Sequence, residues 1–319
     1  MIPAVTVYTS VLNEEASIRA LLDSLLGQTF PPTEILVVDG GSHDRTRDIV
    51  GEYMTRDSRI RLVDAPGTNI AQARNVALAN VRCDLVASID GDCVARADWL
   101  ERLVSAAAED VDIVAGTYAA NPVTDWDAVL AEFFYPDPRE LPDDWNRPSH
   151  RSILIRKRAA DRVGPFPAKL YRSEDSWFNV RASQLGLRFK LARDAVVHWR
   201  PRPDLGEVAR NTYLWVKSDL ENDVNMPFER DRAIRITLRL LGKIGGWVLW
   251  TATVAVSPLA GLLTFPLLAF HLAKVSHRMR SLRYFALYNV VDYAVMAASA
   301  WGLIQGEWVR VRRPPATTA

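Results

Sequence analysis

Two carboxylates one residue apart, Asp90 and Asp92, close the apolar run Leu85-Val86-Ala87-Ser88-Ile89. A strand that ends in such a pair sets two like charges side by side unless a cation joins them. The partner that suits them is a hard divalent ion with oxygen ligands and a bound diphosphate. By itself Asp-x-Asp is most often a solvated turn. A second strand-end acid gives the pair weight. Asp39 ends Ile35-Leu36-Val37-Val38, and Gly40-Gly41 behind it permit a tight turn.

The elements that must position these acids follow from periodicity. The β-branched run before Asp39 predicts a buried parallel strand. Ser42 and Asp44 can cap the helix that follows, which carries Ile49 and Val50. Upstream, Ala4 to Thr9 predicts another strand. It leads through Asn13-Glu14-Glu15 into a helix with Ile18, Leu21, Leu22, Leu25 and Leu26 at helical spacing. Strand–helix alternation of this kind predicts an α/β fold, a mostly parallel sheet with helices on both faces. Ligands of such sheets bind beyond the carboxyl ends of the strands. Asp39, Asp90 and Asp92 should therefore converge on one crevice.

At this point the ordered motifs resemble the family 2 glycosyltransferases of the GT-A fold. They are Asn13-Glu14-Glu15, Val38-Asp39-Gly40-Gly41-Ser42-x-Asp44-x-Thr46, Ala73-Arg74-Asn75 and Asp90-Gly91-Asp92. Ser173-Glu174-Asp175, followed by Arg181 and Gly186, is similar to that family's Glu-Asp motif, and Val197-His198-Trp199 to its late histidine. The resemblance covers roughly residues 4 to 200. The Gln-x-x-Arg-Trp motif of processive synthases is missing, which favours transfer of a single sugar over polymer synthesis.

The resemblance implies a Rossmann-like GT-A domain, a nucleotide-diphosphate sugar as donor, and Mg2+ or Mn2+ as cofactor. Asp92 is the expected direct metal ligand. Asp90 then binds the donor's ribose, or the metal through water, and His198 is the candidate second protein ligand. Asp39 is expected to accept a hydrogen bond from the nucleotide base. Glu14 or Glu15 can approach base or ribose, or cap the following helix as first-turn acids. Arg74 can pair with the diphosphate or with an acid such as Asp39. By resemblance Asp175 is the general base, with Glu174 orienting it or the acceptor. One base and an in-line attack imply inversion at the anomeric carbon. His150 and Arg151, in a polar loop, are further candidates to touch the diphosphate or an anionic acceptor.

Composition bounds the rest. Net charge is +1 over 319 residues, which gives no argument for nucleic acid. Cys83 and Cys93 form no zinc pattern or disulfide framework, and reduced thiols in a cytosolic compartment are the simplest reading. No oligomeric state is specified.

The C-terminal third differs sharply. Ile244 to Ala273 contains no Asp, Glu, Lys or Arg, and Tyr284 to Ile304 contains one acid, Asp292. About 20 apolar residues span a bilayer as a helix. Ahead of these runs, Arg232, Arg235, Arg239 and Lys243 recur at helical spacing, which reads as an amphipathic helix on an anionic lipid surface. The expected organisation is a cytoplasmic catalytic domain at 1–230, an interfacial helix at 231–243, hydrophobic membrane helices at 244–309 and a disordered tail at 310–319. The expected acceptor is lipid-linked, or another glycan, and membrane lipids are expected partners.

Overall fold

The computed structural model describes residues 3–120, 122–199, 204–224, 226–257 and 281–312. They divide into two compact units, one of residues 1–121 with 134–201, the other of residues 122–133 with 202–319.

The first unit is built on one eight-stranded sheet. Its strands are β1 (Val5–Val11), β2 (Glu34–Asp39), β3 (Ile60–Asp64), β4 (Leu85–Ser88), β5 (Cys93–Ala95), β6 (Ile113–Ala119), β7 (Ile153–Arg156) and β8 (Phe189–Trp199). They run in the order β3-β2-β1-β4-β7-β6-β8-β5. Ladders β1–β2, β2–β3, β1–β4 and β6–β8 are parallel; β4–β7, β6–β7 and β5–β8 are antiparallel. The sheet is thus parallel in its nucleotide-type half and mixed beyond β4.

Between the strands run α1 (Ile18–Leu26), α2 (Thr46–Met54), α3 (Ile70–Asn80), α4 (Trp99–Ser105), α6 (Lys157–Val163) and α7 (Glu174–Gln184), with α5 (Asp125–Phe134) at the junction of the two units. Helix α1 buries Ile18, Leu21, Leu22 and Leu25 completely. Each such side chain contributes roughly 1.5–3 kcal/mol of transfer free energy. They share a core with Val5 and Val7 of β1, Ile35 and Val37 of β2, and Trp99, Leu100 and Leu103 of α4. Every residue of β2 is buried, as its unbroken apolar run requires. Its one inner acid, Glu34, is matched by Arg61 at 2.9 Å.

Register fixes where the strands end. Val11 of β1 lies opposite Asp39 of β2, and Tyr8 of β1 opposite Ser88 of β4. The carboxyl ends of β1, β2 and β4 therefore lie side by side, with Asp90 and Asp92 just beyond β4.

The second unit is helical: α8 (Leu205–Glu221), α9 (Met226–Val256) and α10 (Leu282–Arg312). The compact unit that begins at residue 202 takes in the end of the expected 1–230 domain, and within it α8 packs against α10. The contact is close: a Cβ on Gly302 would lie 2.9 Å from Tyr213 O, and one on Gly306 2.8 Å from Leu220 Cβ. Small residues four apart let two helix backbones approach this closely. Helix α9 continues unbroken past residue 243, so the expected break between an interfacial helix and a membrane segment is absent there. The basic set also divides. Arg239 and Lys243 both pair with Asp292 of α10, the first at 2.6 Å, and Asp292 is buried. Arg232 and Arg235 remain exposed. Of the expected apolar run Ile244 to Ala273, residues 258–273 lie outside the described residues, as do 313–319 of the expected tail. Among the described residues one helix, Ala286–Arg310, is long and apolar enough to cross a membrane.

Gly302→Ala should destabilise the helical unit by about 1–3 kcal/mol through overpacking against Tyr213 and Val216. Thermal unfolding of the detergent-purified chain measures this, with Gly246→Ala, where a Cβ meets nothing within 4 Å, as the neutral control.

Candidate functional site

A buried arginine joins two of the expected site acids. Arg74 lies in the first turns of α3, which Asn69 starts through a capping box with Gln72. Its guanidinium is 3.2 Å from Asp90 Oδ1 and 2.8 Å from Glu174 Oε1, with only 4% of the side chain exposed. One arginine thus ties the end of β4 to the start of α7. The acids it meets are Asp90 and Glu174, not Asp39.

Asp39 is committed elsewhere. It is fully buried and accepts from the backbone N–H groups of Gly41 and Ser42 at 3.2 and 3.1 Å, and from Ser42 Oγ at 2.5 Å. Arg47 pairs with it at 3.1 Å and with Asp64 at 2.6 Å. This carboxylate, the one expected to meet a base, holds the Gly40–Ser42 turn in shape.

Glu14 and Glu15 belong to a second stitched loop. Asn13 N donates to Ser42 Oγ, Glu14 N to Thr46 Oγ1 and Glu15 N to Asp44 Oδ2, while Glu15 Oε2 accepts from Arg45 N. Asn13 Oδ1 accepts from His43 N, with Asn13 itself left-handed at φ 57°. Glu15 is exposed and spent on this stitching. Glu14 reaches the acidic turn: a Cβ on Gly91 would lie 3.1 Å from Glu14 Cγ and 3.0 Å from Val11 Cγ1. That close approach is why glycine separates Asp90 from Asp92.

Asp92 is half-buried and accepts from Trp199 Nε1 at 2.9 Å. His198 stands opposite Val94 in the β5–β8 ladder, and strand alternation turns it to the face away from Trp199. Its Nδ1 is buried without a hydrogen bond among the described residues. Among those residues no group of three or more His, Cys, Asp or Glu side chains is placed to share a metal ion, so the expected set Asp90, Asp92 and His198 is not assembled. Two neighbouring carboxylates still fit a hard dication of the kind that keeps one or two protein ligands and completes its shell with substrate phosphates.

Helix α7 opens with the remaining acids. Ser173 before it is left-handed at φ 65°, a strained conformation for a residue with a side chain. Burial pushes the Glu174 carboxyl up to about 7; Arg74 pulls it back down and Asp175 adds to the rise. Asp175 is half-buried, and its Oδ1 accepts from Ser176 N at 2.8 Å.

The model of the family described as "Glycosyl transferase family 2" matches residues 6–177, more than half of the chain. The chain belongs to glycosyl transferase family 2. The glycosyltransferase AglE of Haloferax volcanii is 28% identical over 226 residues, covering 69% of this chain and 74% of AglE. Bacillus subtilis EpsH is 27% identical over 212 residues, 62% of this chain and 61% of EpsH, so the chain spans less than two thirds of that relative. A glucosyl-dolichyl phosphate glucuronosyltransferase of H. volcanii is 32% identical over 134 residues, 41% of each chain. The mannosyltransferase PcManGT of Pyrobaculum calidifontis, solved with GDP-Man and Mn2+, superposes with a TM-score of 0.66 at 20% identity, over 97% of this chain and 88% of that one. The shared architecture is the expected GT-A fold.

Three further residues of the expected region take definite places. Trp199, beside the histidine, is the residue that reaches Asp92. Arg151 contacts Asp90 from the side away from Arg74, at 3.5 Å from Oδ2. His150 is wholly buried, edge-on to Phe166 and Phe178 at 5.4 and 5.2 Å. Burial, with Arg74 adding to it, holds its ring well below the usual histidine range. A neutral, enclosed imidazole supports α7 from beneath and is not placed to meet a diphosphate.

Arg74→Met should destabilise the chain by about 3–5 kcal/mol, because Glu174 loses its buried counter-charge. Adding Glu174→Gln should recover part of that loss, and urea unfolding of the two single variants and the double variant tests the coupling. The pH dependence has a definite sign. Between the ordinary value of 4.5 and about 7 the folded chain holds a proton on Glu174 that the unfolded chain has lost. The group's contribution to stability therefore falls as pH rises through that window. Thermal scans should show this fall in the wild type and a flatter profile in Glu174→Gln.

Proposed function

We propose that this chain transfers one sugar from a nucleotide-diphosphate sugar to a lipid-linked acceptor, with inversion and with a divalent cation. The observation that carries the reading is the convergence of Asp90, Glu174 and Asp175 around one buried arginine, with Asp92 two residues from Asp90. Asp90 and Asp92 would hold the cation, which when bound offsets charge on the departing diphosphate. Similarity to a mannosyltransferase solved with GDP-Man and Mn2+ supports the donor class and the cation.

The two acids of α7 divide the work. Glu174 is buried and tied to Arg74, which fixes its carboxyl in place. Its part is to fix the first turn of α7. Asp175 is half-buried next to it and takes the proton from the acceptor hydroxyl. That hydroxyl oxygen then bonds to the anomeric carbon as the bond to the diphosphate breaks on the opposite face. A single base on one face gives inversion.

Membrane attachment is part of the proposal. Helix α9 exposes Ile234, Leu238, Leu241, Val248 and Leu249 beside Arg232 and Arg235. An apolar stripe with basic neighbours suits a helix lying in an anionic bilayer surface. Helix α10 exposes Trp301, Ile304 and Trp308. Aromatic residues of this kind favour the membrane interface. The similarity to a glucosyl-dolichyl phosphate glucuronosyltransferase supports a lipid-linked acceptor.

Asp175→Asn should leave donor affinity nearly intact and lower the single-turnover rate by about 10²–10⁴-fold, the usual share of general-base catalysis. Calorimetry and rapid-quench assays with a panel of nucleotide sugars and membrane lipid extracts separate the two effects. A normal rate would point to an acceptor that is already ionised, such as a lipid phosphate. Asp92→Ala should abolish turnover and the dependence of nucleotide affinity on Mn2+. Chelator-insensitive wild-type activity would sink the cation.

A further inference from the structure

Two arginines face Asp90, and they are built differently. Arg74 is enclosed and anchored at both ends by Asp90 and Glu174. Arg151 is 17% exposed and lies 4.1 Å over the ring of Trp199 and 5.6 Å from that of Tyr118. Its Nη1 donates to Ser149 Oγ at 3.1 Å. Its Nε, 3.5 Å from Asp90 Oδ2, is buried yet completes no hydrogen bond among the described residues. A charged donor left in that condition costs free energy that a better acceptor would recover.

Trp199 connects this arginine to the second carboxylate. The indole N–H holds Asp92 at 2.9 Å, and the same ring carries the guanidinium that faces Asp90. Arg151 therefore lies beside Asp90 Oδ2 while it rests on the ring that holds Asp92, the two acids that would share a cation. The positive charge cannot stay in full contact there once a dication arrives. It needs another anion nearby, and an arginine on an aromatic platform presents its fork to phosphate oxygens.

We propose that Arg151 is an exchangeable counter-charge: it neutralises Asp90 in the donor-free chain and turns to the donor's diphosphate when cation and nucleotide bind together. This rests on the nucleotide-sugar reading above. It gives Arg151 two opposed effects, competition with a cation alone and attraction for a diphosphate. Simple support of the fold would not separate them.

The test uses the full chain in detergent. The nucleotide probes are UDP, GDP, CDP and dTDP, each with its monophosphate, in Mn2+. For Arg151→Gln, affinity for the best diphosphate should fall about 10- to 100-fold, the range of a charge-assisted bidentate contact. Its monophosphate should change by less than about threefold. Mn2+ alone, followed by electron paramagnetic resonance without nucleotide, should bind about three- to tenfold tighter, because its competitor on Asp90 is gone. Arg151→Lys, which keeps the charge but loses the fork, should fall between wild type and Arg151→Gln in both assays. It also carries the test if Arg151→Gln fails to fold by circular dichroism. Equal losses for diphosphate and monophosphate, or unchanged or weaker Mn2+ binding, would overturn the exchange while leaving the transferase reading intact. If no diphosphate binds the wild type, the donor reading falls and the exchange falls with it.

Discussion

The crevice depends on one buried bridge, Arg74 between Asp90 and Glu174. Asp90 belongs to the loop after β4, and Glu174 opens α7. Neither the sheet nor the helix alone sets the distance between them. A planar guanidinium with its donors in a fixed fork does. Buried ion pairs of this kind often contribute little net stability, because desolvation offsets much of the attraction. Their value here is geometric. Holding Glu174 to Arg74 sets the first turn of α7, and that turn carries Asp175. The strained backbone of Ser173 lies at the same point, where the ion pair and the helix hold it in place.

A second layer stiffens the other side. The loop after β1 and the loop after β2 exchange hydrogen bonds residue for residue, Asn13 with Ser42 and His43, Glu14 with Thr46, Glu15 with Asp44 and Arg45. These motif residues therefore serve the backbone before they serve any ligand. Asp39 is the clearest instance, since its carboxylate is surrounded by donors from its own turn and by Arg47. The result is a rigid lip from which Glu14 reaches across Gly91 to the acidic turn.

What the amino-acid sequence made legible was the position of these groups. What it withheld was their partners. An apolar run that stops at an acid identifies a strand end, so Asp39 and Asp90 could be placed at neighbouring ends of one sheet before any coordinates. Arg74 could be placed near them, but its second partner, Glu174, comes from a distant element, and no local pattern reports that pairing. Trp199 was visible only as the neighbour of a histidine; its indole N–H became meaningful once β5 and β8 were seen to pair. The helical unit shows the same limit. Asp292, one acid in an apolar helix, signals a buried partner, yet only the packing of α9 on α10 reveals that Arg239 and Lys243 supply it. Gly302 and Gly306 look ordinary in an apolar run until α8 is found against them.

Charge balance links these observations to chemistry. Four carboxylates, Asp90, Asp92, Glu174 and Asp175, face two guanidinium groups, Arg74 and Arg151. With all acids ionised the cluster carries an excess of two negative charges. A proton on Glu174, favoured by its burial, reduces that excess by one. A nucleotide diphosphate adds further negative charge to the same place. Were the site closed with another fixed cation, such as a lysine, the donor-free cluster would be neutral and tightly paired. Entry of the donor would then have to break those pairs. In the proposed reaction, an acidic cluster with one anchored and one less tightly held arginine would instead keep its deficit until the donor arrived with a divalent cation. Binding and neutralisation then occur together, and the loosely held arginine is the group that can adjust. The anchored one cannot move without releasing α7, and with it the base.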